Sequence, residues 1–138
     1  TFLVHSSAAT IGIIMLLSMQ HMITLEPAIF MLFGANIGTA FTAILSSLGS
    51  SRESQRVATA HLLFKIVGVL LFLPFVSPLG SLMQKLTSNA GFQVANVHTF
   101  FNIVIAILFV PFIDYFARFL EYIVPDKKKQ YLMLHPYI

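Results

Sequence analysis

The sequence lacks cysteine and has few charged residues, and each shortage excludes a class of protein. Without cysteine there is no thiolate-ligated metal site, and the redox compartment is left open. Only 9% of the 138 residues are charged, 57% are hydrophobic, and the mean hydropathy is +0.87. Because a soluble domain carries about 25% charged residues, this chain cannot cover a water-facing surface. The composition predicts an integral membrane protein.

The few charges are confined to short intervals between long apolar runs. About 20 apolar residues cross the hydrocarbon layer of a bilayer. We expect hydrophobic segments at about residues 2–24, 27–48, 57–76 and 94–124. Residues 1–124 are thus predicted to form an all-α transmembrane region, followed by a polar exit segment over residues 125–138.

The basic residues indicate a topology. Arg52 and Arg56 flank one polar turn and a lysine cluster at 127–129 lies in another, so both are expected on the cytoplasmic side. The net charge of +3 comes largely from that cluster, which is typical of a membrane-facing loop and not of a nucleic-acid surface. The chain starts at Thr1 inside an apolar run, without methionine or a signal peptide, so we expect a piece of a longer protein.

An internal repeat relates two of the segments. The run from His61 to Phe75 matches the run from His98 to Phe112, including the histidines, an Ile-Val pair and a closing Leu-Phe-x-Pro-Phe. Chance is one explanation, since membrane helices use few residue types. The other is two copies of one helix in opposite orientations, as in transporters built from repeats.

A first polar patch, His5-Ser6-Ser7-Ala8-Ala9-Thr10, lies within an apolar stretch. Hydroxyl oxygens can replace the hydration shell of a small cation, and hydroxyl donors at a helix N-terminus can hold an oxyanion. Alternatively, Ser6, Ser7 and Thr10 bond back to carbonyl groups of their own helix.

A second patch, Gly34-Ala35-Asn36-Ile37-Gly38-Thr39, lies in mid-span. One interpretation is close helix packing, because Gly34 and Gly38 have small-xxx-small spacing. The other is a broken helix with Asn36 and Thr39 directed into a site, which also explains the polar side chains. The residues themselves leave both interpretations open.

Further polar residues lie inside the later spans. We propose no metal site at His61 or His98, because a lone histidine in a span more often bonds a neighbouring helix. Asn102 is four residues after His98, so the two share a face that we expect to point into the bundle. Lys65 is expected to reach the interface or to have a structural partner; it could also offset the charge of an anion.

Together the patches resemble the type II sodium/phosphate cotransporter family. That family has a Gln-Ser-Ser-Ser motif followed about thirty residues later by Gly-Ala-Asn-Ile-Gly-Thr, and a His-Thr-Leu-Phe-Asn-like segment. The counterparts here are His5-Ser6-Ser7-Ala8, Gly34–Thr39 and His98-Thr99-Phe100-Phe101-Asn102. The sequence departs from the family where His5 replaces glutamine, Ala8 replaces serine and Lys65 stands at a position that is often asparagine.

The resemblance implies a fold with a re-entrant hairpin and broken transmembrane helices, forming one half of an inverted-repeat transporter. It implies sodium-coupled transport of inorganic phosphate by a multi-pass protein of the cell membrane, in bacteria the inner membrane. The second repeat would be its partner, a helical cytoplasmic domain would follow, and a homo-oligomer stays open. Phosphate would bind Ser6, Ser7, Thr10 and Asn36. Sodium, the coupling ion, would bind His5, Ser6, Asn36 and Thr39, with no other metal, cofactor or catalytic residue.

Two other functions are considered. One is a membrane scaffold or sensor that does not transport. The other is an intramembrane hydrolase with Ser6 or Ser7 as nucleophile and a histidine as base. The hydrolase is disfavoured because a third group must orient the base, and no acidic residue lies near in sequence.

Overall fold

The computed structural model describes residues 6–126 and 134–135, and this part of the chain is helical without any β-strand. The prediction of an all-α chain is confirmed for these residues. The helices are α1 (Ser7–Met19), α2 (Leu25–Ser47), α3 (Arg52–Phe72), α4 (Val76–Leu86), α5 (Ala90–Phe109) and α6 (Ile113–Ile123). Two 3₁₀ turns, Leu73–Phe75 and Val110–Phe112, join α3 to α4 and α5 to α6.

Three helical stretches in the described part are long and apolar enough to cross a membrane by length and composition. They are α2, α3 with α4, and α5 with α6, and they contain 18-residue windows with mean hydropathies of 1.8, 2.2 and 2.1. Helix α1 has 13 residues. At about 1.5 Å per residue it is shorter than a hydrocarbon core of about 30 Å. It does not span a bilayer by itself, and the re-entrant hairpin stays a prediction.

The internal repeat corresponds to two matching helical units. Each boundary from the end of α3 to the end of α4 recurs 37 residues later, from the end of α5 to the end of α6. Pro74 and Pro111 occupy the same place in the two 3₁₀ turns, where a missing N–H and a bulky ring disturb the α-helix. The third segment was expected to end at about residue 76, but α4 follows the 3₁₀ turn directly and runs to Leu86, because only that turn must adapt to the proline.

The two units run in opposite directions. Helix α4 contacts α5, and α3 contacts both α5 and α6. At the start of α3, Arg56 Nε donates to the Val124 carbonyl at 2.8 Å, and Arg56 Nη2 pairs with Asp126 at 3.0 Å. The turn before α3 and the segment at residues 124–126 therefore lie at the same end of the molecule. The lysine cluster at 127–129, on which the predicted topology also rests, lies outside the described residues. The cytoplasmic assignment of that end stays a prediction.

Aromatic packing joins the central helices. The Phe101 ring on α5 lies 5.1 Å, centroid to centroid, from both Phe33 on α2 and Phe72 on α3. Phe33 and Phe101 are almost fully buried, together with Ile29 and Val97. Each such aromatic pair contributes about 0.5–1.5 kcal/mol beyond the area that it buries. This cluster fixes α2 against α3 and α5, and so sets the position of the polar patch on α2.

The close approach of α3 and α5 at Gly68 leads to a prediction about stability. A Cβ at Gly68 would lie 2.6 Å from Ile105 Cδ1 and 2.8 Å from Cγ1, whereas a Cβ at Gly80 would make an ordinary 3.6 Å contact with Leu25. We expect Gly68→Ala to be less stable than Gly80→Ala by about 1–3 kcal/mol, the cost of overpacking a filled core. Thermal unfolding of the purified full-length protein measures the difference. Equal stability of the two variants would contradict the packing.

Candidate functional site

The first polar patch forms the N-terminus of α1. Ser6 has extended backbone angles (φ −142°, ψ 113°), and its Oγ accepts a hydrogen bond from the Ala9 amide at 3.2 Å. Serine is favoured here because its side-chain oxygen satisfies an amide that the helix leaves without a partner. Ser6 is therefore the N-cap of α1, with Ser7 as the first helical residue. His5 lies outside the described residues.

The hydroxyl of Thr10 is bonded within its own helix. Thr10 Oγ1 donates to the Ser6 carbonyl at 3.0 Å. This is the back-bonding alternative that the sequence left open, and it is confirmed for Thr10. Ser6, Ser7 and Thr10 are each partly exposed, so the patch is not sealed within the described part of the chain.

The second patch lies within an uninterrupted helix, so the predicted break is wrong. Helix α2 runs from Leu25 to Ser47 through Gly34 and Gly38. Asn36 Nδ2 donates to the Leu32 carbonyl at 3.0 Å, and Thr39 Oγ1 donates to the Ala35 carbonyl at 2.9 Å. The polar groups find partners in their own helix, which removes the need for a break.

Close packing does not explain Gly34 either. A Cβ added at Gly34, or at Gly12 on α1, would meet nothing within 4 Å among the described residues. Asn36, two residues further on, is buried with 7% of its surface exposed. The patch on α2 therefore has a buried polar side chain on one face and an open glycine surface on nearly the opposite face, because residues two apart in a helix do not share a face.

The two patches lie at the same depth on neighbouring helices. Helices α1 and α2 contact each other and are joined by residues 20–24, so they run antiparallel. Ser7 and Ile37 each lie 12 residues from the end of the helix next to this turn, Met19 and Leu25. At about 1.5 Å per residue both are about 18 Å from it. The fold thus brings the two sequence motifs to one level.

A further polar cluster lies where α3 meets α5. Lys65 Nζ donates to Asn102 Oδ1, and Asn102 Nδ2 donates to the His98 carbonyl at 2.8 Å. The expectation of a structural partner for Lys65 is confirmed, and Asn102 is that partner. Sequence reasoning did not pair the two residues. The signal was present, because they occupy equivalent positions 37 residues apart in the internal repeat.

Comparison with known proteins points to one family. The family model described as Na+/Pi-cotransporter matches residues 1–99. The chain is 33% identical over 87 residues to the uncharacterized protein YqeW of Bacillus subtilis, covering 63% of this chain and 28% of YqeW. It is 36% identical over 83 residues to YjbB of Salmonella typhimurium, whose name proposes inorganic phosphate export, covering 60% of this chain and 15% of YjbB.

A mammalian protein is also similar. The chain is 41% identical over 78 residues to the sodium-dependent phosphate transport protein 2A of Oryctolagus cuniculus, covering 54% of this chain and 12% of that protein. The matches therefore span 12–28% of the length of these relatives. No solved structure gives a significant match to the chain.

The cap at Ser6 predicts how two substitutions will differ in stability. Ser6→Ala removes the acceptor for the Ala9 amide and should lower the free energy of unfolding by about 1 kcal/mol, whereas Ser6→Asn keeps a capping side chain and should lose much less. Unfolding of the full-length protein without phosphate or sodium measures both, so that ligand binding does not contribute. An equal loss in the two variants would contradict the capping role.

Proposed function

We propose that this chain, which belongs to the Na+/Pi-cotransporter family, supplies part of the site through which a larger protein moves inorganic phosphate across a membrane with sodium. Family membership confirms the resemblance found in the sequence, suggests phosphate transport and disfavours an enzyme. Two relatives are named for sodium-dependent phosphate transport and for phosphate export. Sodium coupling is part of the proposal, and the ion gradients would set the direction in which phosphate moves.

The observation that carries the proposal is the common depth of the two patches in an otherwise apolar pair of helices. At the first turn of α1, backbone amides and the partial positive charge of the helix N-terminus favour an anion. Ser6 and Ser7 add hydroxyl groups at this point. The proposal assigns phosphate to this turn, with Thr10 and Asn36 as further contacts.

The back-bonded side chains on α2 support a sodium site. Thr39 donates its hydroxyl proton to the Ala35 carbonyl, so the lone pairs of its oxygen stay available to a cation. Asn36 likewise uses an N–H on Leu32, which leaves its carbonyl oxygen as an acceptor. Sodium would gain oxygen ligands here, and its charge would offset that of phosphate. Ser6, a further sodium ligand of the proposal, is the N-cap of α1. His5, the fourth ligand, lies outside the described residues.

The proposal also includes how the chain is assembled with a second repeat. We infer that the chain is one half of a membrane domain with two inverted repeats, in the cell membrane, and that the second repeat completes the site. The open surfaces at Gly12 and Gly34 support this, because a Cβ at either would meet nothing within 4 Å among the described residues, which leaves room for a neighbouring helix. Many large apolar side chains elsewhere are exposed, such as Val57, Ile107 and Tyr122, which suits contact with lipid.

Asn36 provides the first test. We expect full-length protein in liposomes to transport phosphate only when sodium is present, and Asn36→Ala to lower the rate at least tenfold because a buried ligand is lost. The matched control is Asn96→Ala, since Asn96 is an exposed asparagine on α5. Folding should be retained, because the Leu32 carbonyl also accepts a backbone bond of α2.

Sodium-independent transport would contradict the coupling, and a folded protein without phosphate transport or binding would favour a scaffold or sensor.

Thr39 tests the sodium ligands separately. Thr39→Val keeps the side-chain shape but removes an oxygen ligand, so the sodium concentration for half-maximal transport should rise about tenfold, equivalent to about 1.4 kcal/mol. Thr42→Val is the control, because Thr42 makes the same bond to its own helix, to the Gly38 carbonyl at 2.9 Å, one turn further on. Equal effects of the two substitutions would argue that only helix structure has been changed.

A further inference from the structure

Lys65 carries a positive charge within a membrane span. In the described part of the chain this lysine has no carboxylate partner. Its Nζ donates to Asn102 Oδ1 and lies 5.6 Å from the centre of the Phe101 ring. The ion pair found in residues 6–126 joins Arg56, near the start of α3, to Asp126, just after α6. Lys65 is partly buried, and a charge withdrawn from water without a counter-charge is costly, so this ammonium favours an anion beside it.

A cavity of about 260 Å³ adjoins Lys65. Its polar lining consists of His61, Lys65 and Asn102, and apolar side chains such as Phe64 and Phe109 form the rest of its wall. An ammonium group has three N–H donors, and Asn102 accepts only one of them. Lys65 therefore has further donors for a ligand in a largely apolar pocket, where such bonds are stronger than in water.

The cavity has a polar approach from one end of the molecule. His61 also lines a second cavity of about 690 Å³ near the turn between α2 and α3. Several serines, among them Ser47 and Ser50, and one acidic residue, Glu53, border that cavity. Lys65 is 13 residues into α3, about 20 Å from its start, and His61 lies one turn before it. His61 thus lies between the serine-lined opening and the ammonium group.

We propose that His61, Lys65 and Asn102 form an anion-binding site within the membrane region, built on α3 and α5 and separate from the patches on α1 and α2. The ligand is a small inorganic oxyanion, which enters from the serine-lined cavity. The site goes beyond the proposed function, and only the choice of inorganic phosphate as the first probe rests on it.

The absence of cysteine in the chain allows a test at this cavity alone. Ala106 also lines the cavity, and Ala117 is an exposed alanine on α6 outside it. Ala106→Cys and Ala117→Cys are made in full-length protein whose other cysteines, if any, have been replaced. We expect a small water-soluble thiol reagent to modify the first variant, and inorganic phosphate at ten times its Kd to slow that reaction about tenfold. The Ala117→Cys variant should show no such protection.

Substitutions of Lys65 then identify the binding group. Lys65→Asn, which places in α3 the residue found at the equivalent position of α5, should abolish protection in the Ala106→Cys protein. Lys65→Arg keeps the charge and should retain protection to within about threefold, and Lys85→Asn, at the exposed end of α4, should have no effect. Gel filtration and thermal unfolding check that each variant is folded.

Each outcome bears on the inference. Three results would overturn the site: no labelling of Ala106→Cys, no protection by phosphate or sulfate, or protection that persists in Lys65→Asn. The first two results are obtained without any substitution of Lys65, so they do not depend on the folding of such a variant. A loss of stability in Lys65→Asn with protection unchanged would make the lysine a structural partner only. Protection that depends on Lys65 in a protein that does not transport phosphate would support the site and reject the proposed function. Sodium-dependent phosphate transport without protection of the cysteine would support the proposed function and reject this anion site.

Discussion

Hydrocarbon offers no hydrogen-bond partner, and many polar side chains in the described helices bond instead to a carbonyl group of their own helix. Six side chains of the described residues donate to the carbonyl oxygen four residues earlier, at 2.8–3.0 Å: Thr10, Asn36, Thr39, Thr42, Thr59 and Asn102. These bonds let polar motifs lie in apolar segments without interrupting them. The continuity of α2, and its packing through Phe33 against Phe101, depend on that local solution.

The larger features of the fold follow from the sequence, because they depend on composition and on residues with strong local effects. Long runs without charge predict the helices, and Pro74 and Pro111 mark the same turn in each unit of the repeat. The extent of the helices could not be predicted in the same way. A proline excludes one backbone bond but does not specify whether the chain turns away or continues after a 3₁₀ turn. That choice depends on the packing of α4 against the next helix, α5, and against α2, which is distant from it in the sequence.

The candidate site was predicted in its residues but not in its conformation. Glycine costs about 1 kcal/mol in a helix interior, which made a break at Gly34 and Gly38 a reasonable interpretation. Neighbouring residues such as Leu32 and Phe33 are almost fully buried, and their packing outweighs that cost. The bond between Lys65 and Asn102 was missed for a related reason. Spacing shows which residues share a face of one helix, whereas a bond between helices also needs their relative rotation.

The back bonds also show that the structural and functional interpretations of a polar patch do not exclude each other. A hydroxyl or amide that donates to its own helix is held in place and presents oxygen lone pairs outward, so α2 offers oriented acceptors at Asn36 and Thr39. Lys65 has only donors, and the first turn of α1 likewise offers amide donors beyond the one bound to Ser6. Acceptors suit a cation and donors suit an anion. Under the proposed function both helices contribute to both ions, with Asn36 on α2 also contacting phosphate and Ser6 at α1 also contacting sodium. The contact between α1 and α2 would then set how near the two charges can come.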